Sequence, residues 1–219
     1  MNLPLYLYFL IPCILAGVSV YFQKSSPLYL RLFPVLLTIN LILEIVGQWV
    51  LKEFGTNVTL FNFYMAFELT AHLLLLREMV VGRTIKRIVF YLVLIYPVIC
   101  IINIFFIQGL GNWHSISYGI GNILIVGLAI YYFFELFKRP NSINLMREPA
   151  FWICSALLFY YMCSFPFLSL ANFIVNAPVV ILNNFSFILN VLNILQYTLF
   201  TIAFLCRVRS QKGFSNKLA

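Results

Sequence analysis

Glu68 and His72 stand four residues apart in "NFYMAFELTAH" (62–72), so on a helix an acid and an imidazole share one face a turn apart. Such a pair can share a proton or pass one to a bound molecule. Tyr64 extends the same face by one turn. A second acid, Glu44, shares its face with Asn40 and Gln48 in "INLILEIVGQW" (39–49). A further row, Asn183, Ser186, Asn190, Asn193 and Tyr197, follows spacings of 3, 4, 3 and 4. Those five fit an arc of about 80°, which leaves Asn184 and Gln196 outside it. His114, Tyr118 and Asn122 make another row, and Tyr96 and Asn103 are seven apart. The chemistry on offer is hydrogen bonding and proton exchange with a small molecule. The expected ligand-binding set is Glu44, Gln48, Tyr64, Glu68, His72, Asn190, Asn193 and Tyr197.

The elements that carry these residues are membrane helices. Hydrophobic residues make up 63% of 219 positions and charged residues 9%, too few charges to cover a soluble domain. Apolar runs of about 20 residues recur, the length that crosses roughly 30 Å of hydrocarbon. The short alternating segments of a transmembrane barrel are absent from the sequence. The pattern predicts an all-α, polytopic seven-helix bundle as a single transmembrane domain over 1–206. Its spans are expected at 3–22, 33–51, 59–81, 88–107, 114–137, 150–174 and 180–206, with a short basic tail at 207–219. Pro12, Pro97 and Pro166 fall inside spans and predict kinks. The first span has no charged leader or cleavage site before it and is expected to be retained.

The charges orient the bundle. Lys24 and Arg31 fall in the first connection. Arg77, Arg83, Lys86 and Arg87 fall at the third, and Lys138, Arg139 and Arg147 at the fifth. Arg207, Arg209, Lys212 and Lys217 follow the last span. With seven spans all of these lie on one side, and Lys52 alone lies on the other. The positive-inside rule then predicts an outer amino terminus and a cytoplasmic carboxyl terminus in a bacterial inner membrane. The +8 net charge is a collar facing anionic lipid headgroups and needs no nucleic acid.

An acid at a span centre costs about 2.5–3.5 kcal/mol on insertion scales, where a Leu or Phe returns about 0.3–0.6. Interhelical packing does not need that cost, since Asn or Gln bonds as well. Glu44, Glu68 and His72 are therefore functional candidates. The amide rows also suit interhelical glue, at an average of about 0.6 kcal/mol per bond. Tyr118 and Asn122 read as glue, and His114 as a solvated residue at the outer interface. Gln48, Glu44, Asn62, Asn183 and Ser186 crowd the outer half and Asn40, Glu68, Asn190 and Asn193 the middle. That distribution predicts a cavity open to the outside, with Glu68 and His72 as its floor.

The stretches "INLILEIVGQW" (39–49), "LFNFYMAFELTAHLLLL" (60–76) and "REPAFWICSALLFYYMCSFPF" (147–167) resemble a family of small, uncharacterised seven-span membrane proteins of Bacteroidota. The family pattern matches Glu44 with Gly47, then Asn62, Tyr64 and Glu68, then Glu148, Pro149, Phe151 and Trp152. His72 lies outside it. The resemblance implies the topology and singles out Glu44 and Glu68, but implies no reaction.

No phosphate-binding glycine loop is present in the sequence, and the connections are too short to hold a soluble catalytic domain. Five scattered cysteines and two histidines suggest neither a metal site nor a cofactor. The expected function is a sensor or receptor-like module. A small molecule enters from the outer side, and an unidentified protein partner reads the basic cytoplasmic face. A small-solute transporter, built as a 3+1+3 repeat with Glu68 coupling protons, is the alternative. A structural subunit of a larger complex is another. A lipid-modifying enzyme ranks last, for want of a nucleophile or metal set.

Overall fold

The computed structural model describes residues 5–23, 26–138, 144–174 and 178–215, which are helical with no strand among them. Six helices are long and apolar enough to cross a membrane, and a seventh apolar helix is shorter. They are α1 (Leu7–Tyr21), α2 (Leu28–Phe54), α3 (Val58–Met79), α4 (Arg83–Ile102), α5 (Ser115–Phe137), α6 (Pro149–Ser169) and α8 (Val179–Ser215), with a one-turn α7 (Ala171–Ile174) between the last two. Large apolar side chains such as Phe22, Phe106 and Phe137 stand exposed around the bundle, as lipid-facing positions do. The chain is a multi-pass helical membrane bundle.

The helix ends depart from the sequence expectation for identifiable reasons. The second span is expected to start at 33. Instead Pro27 flanks the helix and α2 runs from Leu28, so Pro34 lies inside it. Gly55 ends α2 in the left-handed region (φ 74°), where a side chain would be strained. The sixth expected span breaks at Leu170, leaving 171–174 as a separate turn. Residues 207–215, expected as tail, continue α8. The helix α4 passes through Pro97 and ends in a π-helical turn, Asn103–Ile107, where Asn103 bonds to Gln108 and Ser117. At 15 residues α1 is about 22 Å long, short of a full hydrocarbon crossing.

Six helices close a ring in the order α1, α2, α3, α5, α6, α8, and α8 returns to α1. The helix α4 lies outside the ring against α3. Two sets of bonds tie the ends. At one, Arg207 donates to Ser26 (3.3 Å), Cys206 to the Met146 carbonyl (3.1 Å), and the Val81 and Gly82 amides to Glu135 (2.6 and 2.8 Å). This end gathers the basic connections; Lys24, Arg139 and Lys217 lie outside the described residues. At the other end Thr59 donates to Leu110 O (3.0 Å) and Asn62 to Asn112 O (2.8 Å).

The basic half of the ring is filled. Phe33, Leu73, Leu157, Phe200 and Phe204 are each at most 1% exposed, and the Phe33 and Phe200 rings meet edge-on at 4.6 Å. Between helices in lipid such contacts hold by van der Waals fit, which rewards close approach. Gly17 of α1 supplies one. A Cβ there would lie 2.6 Å from Pro34 Cγ and 3.2 Å from a Phe204 ring atom.

Candidate functional site

In the other half of the ring the packing opens into a cavity of about 340 Å³. Each wall derives from one ring helix. Asn40 and Glu44 come from α2; Tyr64, Met65 and Glu68 from α3; Tyr160 and Tyr161 from α6. Ser186, Asn190, Asn193, Gln196 and Tyr197 come from α8. Tyr6, at the start of α1, and Tyr118 of α5 complete the circle.

Of the eight expected ligand residues, Glu44, Tyr64, Glu68, Asn190, Asn193 and Tyr197 line this cavity. Glu68 is deep in the bundle yet keeps accessible surface, because the cavity opens on it. It interacts across the space with Glu44, and the Tyr6 hydroxyl faces Glu44 from α1. Gln48 is half-buried and lies outside the lining. His72 also lies outside it. Its Nδ1 is 2.9 Å from the Tyr161 hydroxyl, and its ring packs against Phe33. The floor is therefore Glu68 and Tyr161, with His72 holding Tyr161 from beneath.

Several polar groups of the cavity are held by bonds within the protein. Asn40 donates to the Tyr197 hydroxyl (3.0 Å), joining α2 to α8 across the ring. Tyr118 pairs with Ser164 (2.7 Å) and Asn122 donates to the Tyr161 carbonyl (2.8 Å), so the expectation of glue for these two describes their bonds. Asn190 and Asn193 each return their amide N–H to their own helix, to Ser186 O (2.8 Å) and Leu189 O (2.9 Å). That turns their carbonyl oxygens outward from the helix.

Two buried polar atoms in the cavity wall have no hydrogen-bond partner: the Tyr64 hydroxyl and Asn190 Oδ1. The Tyr64 hydroxyl is directed toward Glu68 without closing a well-formed bond, and its other electrostatic neighbours, Tyr197, Glu44 and Tyr160, all line the cavity. Buried orphans are rare in folded proteins and call for an explanation.

Trp113 roofs the cavity. Its backbone N–H donates to Asn172 Oδ1 (3.1 Å), Asn172 Nδ2 donates back to its carbonyl (2.7 Å), and its indole N–H reaches Leu168 O (2.9 Å). Asn62 clamps the same loop from α3, donating to Asn112 O and accepting from the His114 N–H (3.0 Å). His114 is itself buried, with Nε2 2.8 Å from Gly109 O, which corrects its expected solvation. The loop folds back on itself and takes the ring out of contact with solvent.

Sequence spacing missed Gln196, which is buried and lines the cavity although it falls outside the 183–197 arc. In a ring of six, each helix turns an interior angle of about 120° inward, wider than the 80° arc assumed. Asn183 fits the arc but is exposed. Tyr160 and Tyr161 were missed because adjacent residues point 100° apart on a helix, and only a wide inner sector admits both. Among the described residues no group of three or more His, Cys, Asp or Glu side chains is gathered.

Comparison with known proteins finds no matching family model, no matching curated protein and no matching solved structure.

Proposed function

We propose that this chain is a seven-span inner-membrane protein that binds a small molecule in the outer half of its helix ring and signals occupancy through a protein partner at its basic face. The short helix α1 acts as the seventh span, since it occupies a place in the ring between α2 and α8. The basic end then faces the cytoplasm and the roofed end the outside, as the charge rule requires.

The observation that carries the binding role is the cavity with its orphaned Tyr64 hydroxyl and Asn190 carbonyl beside two acids. The filled basic half supports a blind pocket over a conduction path, and so favours sensing over transport. A ligand held by residues of all six ring helices could alter their mutual packing, and the change would be read where the basic connections converge.

The test is complementation. In a strain whose deletion phenotype is known, Glu68→Gln should insert at wild-type level and fail to restore the phenotype. The amide keeps the volume and hydrogen-bonds, but carries no charge and exchanges no proton. Full rescue by Glu68→Gln would refute the role given to this acid.

A further inference from the structure

The geometry points to a ligand of one chemical class: a primary organic ammonium ion on a compact apolar body, seated between Glu44 and Glu68. This rests on the binding role proposed above and gives that cavity a substrate class.

Three observations carry it. The lining contains two carboxyl groups and no Lys, Arg or His side chain, so the protein supplies no cation to offset them. The two acids interact with each other across the cavity, and a cation seated between them would favour their charged forms over the neutral ones. Second, the acids sit among aromatic faces, with Tyr6, Tyr64, Tyr160, Tyr161 and Tyr197 around them and Trp113 above. Ring faces attract a desolvated cation while offering an apolar surface to its hydrocarbon body. Third, the buried Tyr64 hydroxyl approaches Glu68 without closing a well-formed bond, and Asn190 Oδ1 has no partner. Both oxygens accept hydrogen bonds, and an ammonium carries three donors and no acceptor.

Other classes fit less well. An anionic ligand would meet two acids. A bare metal ion wants a tight oxygen shell at about 2.3–2.6 Å, far smaller than this space, and the described residues gather no three acidic or imidazole ligands. The volume of about 340 Å³ lies at the lower end of small-molecule sites.

The test uses the full-length protein in detergent with phenethylamine and butylamine as probes, and 2-phenylethanol and 1-butanol as neutral counterparts of the same shape. Titration calorimetry and the thermal midpoint are read together. At least one amine should bind saturably at millimolar concentration or below, with its alcohol at least about tenfold weaker, the worth of one charge-assisted hydrogen bond. Glu44→Gln and Glu68→Gln should each weaken the amine about tenfold and leave the alcohol unchanged. Equal binding of amine and alcohol, amine affinity untouched by both substitutions, or no saturable amine binding would each overturn the ammonium assignment. Equal amine and alcohol binding that Asn193→Leu abolishes would leave the cavity as a binding site while removing the ammonium. Loss of both amine and alcohol binding in the wild-type protein would remove the cavity's binding role as well.

Discussion

Tyr64 and Tyr161 are two phenols of one cavity with opposite positions in the hydrogen-bond ledger. Tyr161 is bonded to His72 at 2.9 Å, whereas the Tyr64 hydroxyl is buried without a partner. Removing a satisfied partner strands the other group, while removing an orphan relieves a desolvation cost. Tyr161→Phe should therefore lower unfolding free energy by about 1 kcal/mol, within the range for membrane side-chain bonds. Tyr64→Phe should leave the empty protein within about 0.5 kcal/mol of wild type, or more stable. Denaturation in mixed micelles measures both, and equal losses would mean that Tyr64 is bonded within the protein. The sequence singled out Glu68, Glu44 and Tyr64 because acids in lipid are costly and because their faces repeat every turn. It placed His72 in the cavity on the same ground, and wrongly: spacing assigns a face, but Tyr161 from another helix stands between that imidazole and the space. Of the motif residues, Asn62 clamps the roof loop and Gly47 receives the Phe61 ring, so their identities serve packing.

At the scale of elements, helix existence was legible and helix ends were not. Hydropathy runs of the right length located each helix, because lipid tolerates little else. Prolines do not mark helix ends by themselves: Pro34 lies inside α2, and Pro97 lies inside α4 as expected. A lone proline in a membrane helix is tolerated when neighbouring turns or side chains take up the freed carbonyl, and sequence does not reveal whether they do. The adjacency of α1 to α2 and α8 depends on Gly17, where a methyl group would strike the rigid Pro34 ring. Gly127 of α5 has open space around its Cβ position. Gly17→Ala should destabilise by about 1–3 kcal/mol through overpacking. Gly127→Ala should be neutral or gain up to about 1 kcal/mol of helix propensity. Thermal midpoints of the two purified variants decide this, and a Gly17→Ala protein as stable as Gly127→Ala would mean that α1 is not seated as described.

At the scale of the molecule, the charges and the polar rows were each legible, but the ring was not. The order α1, α2, α3, α5, α6, α8 skips α4, which is the most apolar of the six long spans, a signal of its outer place that a search for spans alone does not use. The ring explains why polar side chains converge in one half and why aromatic and aliphatic ones close the other. Its central claim is a pocket reached from the outside and sealed toward the basic end. In a background with the native cysteines replaced, Asn193→Cys in the cavity wall and Leu157→Cys in the filled half can be compared in intact cells. A small, membrane-impermeant methanethiosulfonate reagent is added outside, and modification is read by blocking of later maleimide labelling after lysis. The account predicts that Asn193→Cys is modified and Leu157→Cys is not. Modification of Asn193→Cys only when the reagent reaches the cytoplasmic side, or of both positions alike, would contradict it.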